Sequence, residues 1–334
     1  MKRNTFPLKP VVALTIFFLA GLFAVQSQAA QPLVSTQWVQ DNLAAFSDTG
    51  QAKARLIEVS SKGFEEGHIP GAVHMQWGRD TFDPTTDHMV PSLDQMERIM
   101  TKLAAPPDAH IVLYDGDGAP HSVARVYWTL KFWNYENVSI MDGGKALWQK
   151  EERPRATGRT TVARLDFEVP YPPNTKIRAM YSPDITHALA TGEATIIDSR
   201  PEPFFKGEVY SLDKWVRNGH ITGAVNVPTL AAMNEDKTYK SAEEMKGLYG
   251  GTGLASDAKV ITYCDTGVLG AHGWFVLSEL LGYKNVKLYD GSMREYANRF
   301  DTPMEPGIVG GNFPATPIQL AAKNCEAAAK LADK

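Results

Sequence analysis

The chain has 334 residues, of which 43% are hydrophobic and 22% are charged, and it contains no low-complexity run. This length allows two ordinary domains that each bury a core, and the composition is that of a soluble globular protein. Acidic residues outnumber basic ones, 38 to 34, and no cluster of Lys and Arg follows residue 30. This charge pattern excludes a protein built to bind nucleic acid or an anionic membrane surface.

The first 30 residues have the pattern of a secretory signal peptide. Lys2, Arg3 and Lys9 precede an uncharged apolar run over residues 11–25, and small residues follow at 27–30. We predict cleavage after residue 29 or 30 and an exported protein, periplasmic if the source is a Gram-negative bacterium, with no stable membrane association. An uncleaved membrane anchor is the alternative, but the apolar run is shorter than the usual span. Removal of residues 1–29 leaves 31 basic against 38 acidic residues, a net charge of −7.

The chain contains an internal repeat. Three blocks recur in one order at spacings of 152, 149 and 148 residues: Gly67–Val73 with Gly219–Val225, Ile111–Asp115 with Val260–Cys264, and Tyr135–Gly144 with Tyr283–Ser292. A unit of this length indicates two complete duplicated domains rather than a solenoid. We predict domains over residues 34–155 and 179–306, a proline-containing linker over 156–178, and a tail over 307–334 that contains a helix.

Each half alternates predicted strands and helices. In the second half, short apolar β-branched runs predict buried strands at Ile196–Asp198, Ala224–Val227, Val260–Tyr263 and Val286–Tyr289, and apolar residues at helical spacing predict a helix over Leu269–Leu281. Strand, loop, helix and strand in this order form the βαβ unit of a parallel sheet. The predicted fold class is therefore α/β, with two domains that each contain a parallel sheet flanked by helices.

Cys264 comes directly after a predicted strand and just before a predicted helix. In an open parallel sheet, ligands bind beyond the carboxyl ends of the strands. The loop contains Gly267, which permits the positive φ of a sharp turn. Its N–H groups and the start of the helix are expected to face Cys264 and to favour a thiolate, a persulfide or a bound oxyanion. An inert thiol in the core is the alternative.

The first half carries Asp115 where the second carries Cys264, and it contains no cysteine. We expect the first domain to be catalytically silent and to cover and shape the cleft of the second. A metal site at Asp115 and Asp117 is the alternative, but the sequence places no third oxygen ligand. Neither a cofactor nor a metal is expected. His68 in the first half corresponds to His220 in the second. This repetition predicts that both histidines hold a turn rather than act as bases.

The repeated Gly-His-Ile-x-Gly-Ala block, the strand end Asp198-Ser199-Arg200 and the loop at Cys264 resemble the rhodanese family over about residues 34–306. The resemblance is closest to tandem-domain sulfurtransferases whose first domain is silent. It implies a persulfide on Cys264, formed from a donor such as thiosulfate or 3-mercaptopyruvate and discharged by a thiol, including a protein thiol, or by cyanide. The loop residues that would hold the persulfide are Asp265, Thr266, Gly267, Val268, Leu269 and Gly270.

Three positions depart from the family pattern. Asp265 stands where thiosulfate-active relatives often have a basic residue, and it would repel a dianionic donor by about 1 kcal/mol or more. Phe204 stands where many tandem relatives have a substrate-binding arginine, and Lys206 is the nearest substitute. Leu269 stands where a hydroxyl-bearing residue is common. Arg200 and Lys206 are the substrate-binding candidates, with a structural ion pair as the alternative for Arg200.

A reactive cysteine has uses other than sulfur transfer. A cysteine phosphatase is excluded because Gly270 stands six residues after Cys264, where that chemistry needs an arginine. The remaining alternative is a sulfur or selenium carrier, or a redox protein, that a protein partner loads and unloads. The second cysteine, Cys325, lies in a predicted helix over Ile318–Leu331 and is either a resolving thiol for Cys264 or an unpaired thiol on the tail.

Overall fold

A computed structural model describes residues 30–47, 53–86, 88–209 and 215–305. The predicted signal peptide, the predicted tail helix and Cys325 lie outside these residues. Across the part of the chain that the structure describes, no helix has both the length and the apolar character needed to cross a membrane.

The first half is built around a five-stranded parallel sheet. Its strands are β1 (Leu33–Val34), β2 (Ala54–Ser60), β3 (Val73–Gln76), β4 (His110–Asp115) and β5 (Val138–Met141). Its helices are α1 (Thr36–Asp41), α2 (Leu43–Phe46), α3 (Leu93–Lys102), α4 (Pro120–Phe132) and α5 (Gly144–Lys150). The strands lie in the order β1-β5-β4-β2-β3, which places β4 at the centre.

The second half repeats this plan. Its strands are β6 (Arg178–Ala179), β7 (Ala194–Asp198), β8 (His220–Ile221), β9 (Val225–Asn226), β10 (Lys259–Tyr263), β11 (Asn285–Tyr289) and β12 (Met304–Glu305). Its helices are α6 (Thr186–Thr191), α7 (Glu202–Phe205), α8 (Ala242–Tyr249), α9 (Val268–Phe275) and α10 (Ser292–Tyr296). The parallel sheet has the order β6-β11-β10-β7-β9 with β10 at its centre, and β12 pairs with β8 separately in the antiparallel sense.

The predicted α/β class and the predicted strands and helix of the second half are confirmed. Four of the five residues of β10 are buried, because helices cover both faces of the sheet. Helix α9 is apolar on all sides and continues as a π-helical turn over Val276–Leu280, which ends one residue before the predicted end. The boundaries at 34–155, 156–178 and 179–306 stay predictions.

Helices α4 and α9 pack against each other and join the two halves. The hydroxyl of Tyr127 donates to Glu279 Oε2 at 2.7 Å, and the rings of Tyr127 and Phe275 meet edge to face with centroids 4.8 Å apart. One continuous apolar cluster includes buried residues of both halves. The first half is therefore held against the end of the second sheet at which Cys264 lies.

The two repeated histidines have matching structural roles. Nδ1 of His68 lies 2.9 Å from the carbonyl oxygen of Phe64, and Nδ1 of His220 lies 2.9 Å from that of Phe205. Each imidazole also stacks on the same phenylalanine, with centroids 4.0 and 3.6 Å apart. The prediction that both histidines hold a turn is confirmed.

Candidate active site

Cys264 is fixed at the carboxyl end of the central strand β10. Its side chain is buried, with 1% of the residue exposed. The Cys264 N–H donates to Ser292 Oγ at 3.1 Å, and its carbonyl accepts from the N–H of Met293 at 3.0 Å. The adjacent loop is held in the same way, because the N–H of Arg294 donates to the carbonyl of Asp265 at 2.9 Å. The start of α10 therefore positions the cysteine loop.

The loop after Cys264 turns at Gly267. This residue has φ of +77° and precedes the first turn of α9, so the predicted need for glycine here is confirmed. The backbone N–H groups of Gly270 and Thr266 hydrogen-bond to the thiol sulfur and favour its charged form. These are the inward-facing N–H groups that the loop sequence predicts.

The surroundings of Cys264 nevertheless disfavour the thiolate overall. Burial raises the pKa of the Cys264 thiol above its usual value, and the charge of Asp265 raises it further. The N–H groups of Gly270 and Thr266 lower the pKa but do not outweigh these effects. The loop N–H groups favour the thiolate, as expected, but the burial of the sulfur outweighs them, and a sequence does not show how deeply the sulfur is buried.

Replacement of Asp265 by asparagine is expected to lower the pKa of Cys264, because it removes the nearest negative charge that acts on the thiolate. Alkylation of Cys264 by iodoacetamide at pH 7 should become several-fold faster, and the pH profile of the rate should move to lower pH. The measurement uses a Cys325→Ser background. A matched control is Asp257→Asn, which removes an exposed charge from the opposite end of β10. An unchanged pH profile in Asp265→Asn would contradict the assigned role of this charge.

Cys264 opens onto a cleft of about 710 Å³ between the two halves, here called the Cys264 cleft. Its lining residues from the first half include Trp77, Phe82, Asp83, His88, Asp117 and His121. Those from the second half are Cys264, Asp265, Thr266, Val268 and Leu269. The first half thus forms one wall of the cleft, as predicted.

Arg200 does not reach the Cys264 cleft, so its candidacy for anion binding is not supported. Its side chain is 1% exposed and lies against Asp198, with Nη2 2.6 Å from Oδ2. The guanidinium also donates to the carbonyl of Gly219 at 2.8 Å and lies 3.4 Å from Asp265 Oδ1. The alternative of a structural ion pair is the one that the structure shows, because the carboxylates around Arg200 already satisfy its charge.

Lys206 also lies away from the Cys264 cleft. Its ammonium group pairs with Glu202 one helical turn earlier at 2.7 Å, and the Lys206 side chain is 52% exposed. Phe204, at the position where relatives carry an arginine, packs against the apolar cluster of the second half. Neither residue contributes to the lining of the cleft. The candidate role of Lys206 in substrate binding is therefore not supported.

Asp115 occupies the position in the first half that Cys264 occupies in the second, at the end of the central strand β4. Its Oδ1 accepts the N–H of Asp117, and Asp117 Oδ2 accepts the N–H and the hydroxyl of Ser61 at 2.5 and 2.7 Å. These carboxylates therefore shape the loop. The described residues contain no group of three side chains suited to hold a metal ion. The space beside Asp115 holds only about 10 Å³, with Tyr239 among its lining residues.

A buried group of charges joins the first half to the cysteine loop, and the sequence did not reveal it. Arg125 Nη2 lies 2.6 Å from Asp290 Oδ1, and Arg178 Nη2 lies 3.1 Å from Asp290 Oδ2. Arg125 Nη1 also donates to the carbonyl of Gly267 at 3.5 Å. The sequence marks the turn at Asp290, because this turn repeats the one at Asp142. It does not show that Arg125 and Arg178, which lie on other elements, contact Asp290.

Comparison with known proteins places this geometry in a family. The profile of the rhodanese-like domain matches residues 37–151 and 183–299. The chain is 35% identical over 284 residues to the sulfur carrier protein TtuD of Thermus thermophilus, which covers 82% of this chain and 96% of that protein. It is 35% identical over 282 residues to a Mycolicibacterium smegmatis protein named "Putative thiosulfate sulfurtransferase", with 82% and 98% covered. The crystal structure of the Escherichia coli 3-mercaptopyruvate sulfotransferase SseA matches with a TM-score of 0.68 at 29% identity, over 79% of this chain and 99% of SseA.

Proposed function

The chain belongs to the rhodanese family as a tandem-domain sulfurtransferase, and we propose that it transfers a sulfane sulfur through a persulfide on Cys264. The observation that carries this proposal is that Cys264 lines the cleft, with the N–H groups of Gly270 and Thr266 directed at its sulfur. These N–H groups stabilise negative charge on sulfur without a side-chain cation.

The proposed reaction has two displacement steps. In the first, the Cys264 thiolate attacks the outer sulfur of the donor and the donor's bond to that sulfur breaks. Sulfite leaves with the electron pair if the donor is thiosulfate, and the enolate of pyruvate leaves and takes up a proton if it is 3-mercaptopyruvate. In the second, an acceptor thiolate or cyanide attacks the outer sulfur of the persulfide, and the electron pair of the S–S bond returns to Cys264.

A second candidate is a sulfur carrier that a protein partner loads and unloads. The observation that favours it is the lining of the Cys264 cleft, which includes Asp265 and contains no Lys or Arg among the described residues. A dianionic donor such as thiosulfate finds no compensating cation there, whereas a protein partner can supply its own. The relative TtuD carries the name of a sulfur carrier protein.

We further propose that the protein acts after export. The support for this is the signal-like pattern over residues 1–30, with its basic residues, apolar run and small residues. The amino-terminal sequence of the protein purified from its source should begin at residue 30 or 31, whereas a chain that still begins at residue 1 or 2 would contradict the proposed cleavage.

The test of the persulfide uses mass spectrometry on protein incubated with thiosulfate or 3-mercaptopyruvate. We expect one added sulfur, about 32 Da, on the peptide that contains Cys264, and we expect cyanide to remove it. The added mass should be absent in Cys264→Ser and present in Cys325→Ser, which controls for the second thiol of the chain. A substitution of sulfur by oxygen at this buried site changes the side-chain volume little, so folding is expected to be kept.

The possible outcomes separate the two candidates. Sulfur on Cys264 with repeated turnover to a small acceptor establishes the enzyme and its donor. Loading by a persulfidated protein but by neither small donor would favour the carrier. A Cys264–Cys325 disulfide without any persulfide would contradict both and favour a redox role.

A further inference from the structure

The Cys264 cleft is lined by carboxylates. Asp83 and Asp117 belong to the wall from the first half, and Asp265 belongs to the cysteine loop. Among the described residues that line the cleft there is no Lys or Arg, and the only basic side chains are those of His88 and His121. Burial lowers the pKa of His121, so this imidazole adds no charge at pH 8.

Both carboxylates of the first half are held in place by hydrogen bonds. Asp83 Oδ1 accepts from the hydroxyl and the N–H of Thr85 at 2.5 and 2.7 Å, and these bonds lower the pKa of Asp83. Asp117 Oδ2 accepts the N–H and the hydroxyl of Ser61. The two carboxylates therefore occupy defined positions on the wall of the cleft.

Nearby cations behind the lining do not reverse this charge. Arg200 is matched by Asp198 and by Asp265, so that this group is negative overall. Arg125 and Arg178 share Asp290 and leave one surplus positive charge, but the Arg125 side chain is 0% exposed and lies behind the cysteine loop. The side chains that line the cleft therefore carry more negative than positive charge.

We propose that the Cys264 cleft favours, as the partner in sulfur exchange, a small thiol compound that carries a positively charged amine. This proposal rests on the proposed function of Cys264 and names the substrate class of that same site. A cleft of about 710 Å³ accommodates a small molecule, and carboxylates on both of its walls attract a cation and repel an anion. An ammonium group near the sulfur would also offset the charge of Asp265 beside the reacting atom.

The test measures the charge preference of the cleft without using sulfur transfer. In a Cys325→Ser background, Cys264 is modified by methanethiosulfonates that carry a 2-trimethylammonioethyl, a 2-hydroxyethyl or a 2-sulfonatoethyl group. The thiolate attacks the sulfenyl sulfur, a disulfide forms, and methanesulfinate leaves with the electron pair of the broken S–S bond. The rate constant for modification of Cys264 by the cationic reagent is divided by that for the anionic reagent, both at pH 8 and low salt. This ratio is then divided by the corresponding ratio for the reaction of the two reagents with 2-mercaptoethanol.

We expect a normalised ratio of about ten or more, decreasing as salt is added. The double substitution Asp83→Asn and Asp117→Asn keeps hydrogen-bond acceptors at both positions and should bring the ratio most of the way to one. Asp257→Asn, which removes an exposed carboxylate outside the cleft, should leave the ratio unchanged. A ratio of one or below in the Cys325→Ser protein overturns the proposal, as does a high ratio that the double substitution does not reduce.

The result is independent of whether a persulfide forms. A high ratio in a protein that never gains sulfur would leave the charge preference intact and contradict the proposed function. A persulfide together with a ratio of one would support the proposed function and overturn the cationic substrate. Once Cys264 is loaded, discharge by cysteamine should be faster than by 2-mercaptoethanol, and slowest by 3-mercaptopropionate, when rates are expressed per thiolate. The opposite order would count against the proposed substrate class.

Discussion

Replacement of Asp290 by asparagine is expected to lower the free energy of unfolding by about 3–5 kcal/mol, because it leaves a buried guanidinium without its charge partner. The carboxylate lies 2.6 Å from Arg125 and 3.1 Å from Arg178, and the Asp290 and Arg125 side chains are 1% and 0% exposed. Asp290 Oδ1 accepts no hydrogen bond of regular geometry, so its attraction to Arg125 depends on charge, which asparagine lacks. Urea unfolding followed by tryptophan fluorescence measures the loss.

Asp142 provides the matched control for Asp290, since it occupies the corresponding turn of the first half. Its Oδ1 accepts the N–H of Tyr239 at 3.0 Å, as Asp290 Oδ2 accepts that of Val90 at 3.1 Å. Burial raises the pKa of Asp142 to about 6, so its ionisation above that pH opposes folding. Asp142→Asn is therefore expected to change the free energy of unfolding by less than about 1 kcal/mol at pH 7.5, or to raise it. Equal losses in the two variants would contradict the proposed importance of the buried charge.

The same charge group affects the cleft as well as stability. Arg125 belongs to α4 of the first half, and its contacts with Asp290 and with the carbonyl of Gly267 reach the cysteine loop of the second half. The first half thus contributes a wall and also an attachment for the loop that carries Cys264. This gives a physical reason for a domain without a nucleophile to be part of the active unit.

The fold was predictable because its determinants are local or repeated. Runs such as Ile196–Asp198 and Val260–Tyr263 are continuous and apolar, as strands covered on both faces must be. The repeat at nearly constant spacing then gave the tandem arrangement. The least accurate strand was the one predicted over Ala224–Val227, which is observed only at Val225–Asn226. It lies at the edge of the sheet, where one neighbour is missing and a pattern of side chains constrains pairing less.

The candidate site was predictable only where its chemistry is local. The position of Cys264 and the positive φ of Gly267 follow from neighbouring residues. The pairing of Lys206 with Glu202 was also visible as an i,i+4 pair. The burial of Arg200 was not, because it also involves groups distant in sequence, the carbonyl of Gly219 and the carboxylate of Asp265.

The residues that the first domain contributes to the cleft could not be predicted from the sequence. His121 at the start of α4 and Asp83 after β3 become parts of the cleft only through the packing of α4 against α9. A repeat indicates that two domains exist, but it does not give the angle at which they pack. The charge of the cleft is therefore a property of the assembled pair and not of either half.

Replacement of Gly267 by alanine is expected to lower the free energy of unfolding by about 2–4 kcal/mol and to slow sulfur loading of Cys264 by about tenfold or more. A Cβ at this position would lie 2.7 Å from Arg125 Nη1 and 2.8 Å from the carbonyl oxygen of Asp290. Neither neighbour can move freely, since one is in a buried ion pair and the other is backbone. The loop must shift, and the N–H groups directed at the sulfur shift with it.

Gly282→Ala separates the contact from the backbone conformation. Gly282 has the same φ of +77°, but a Cβ there would meet no atom within 4 Å. Its replacement is expected to lower the free energy of unfolding by only about 1 kcal/mol, because alanine disfavours a left-handed backbone conformation. Sulfur loading of Cys264 should be unchanged. Unfolding and loading rates of both variants are measured side by side. If Gly267→Ala lost no more than Gly282→Ala in either measurement, the close contact between the cysteine loop and Arg125 of the first half would have no energetic role, and the first half would act only as a wall of the cleft.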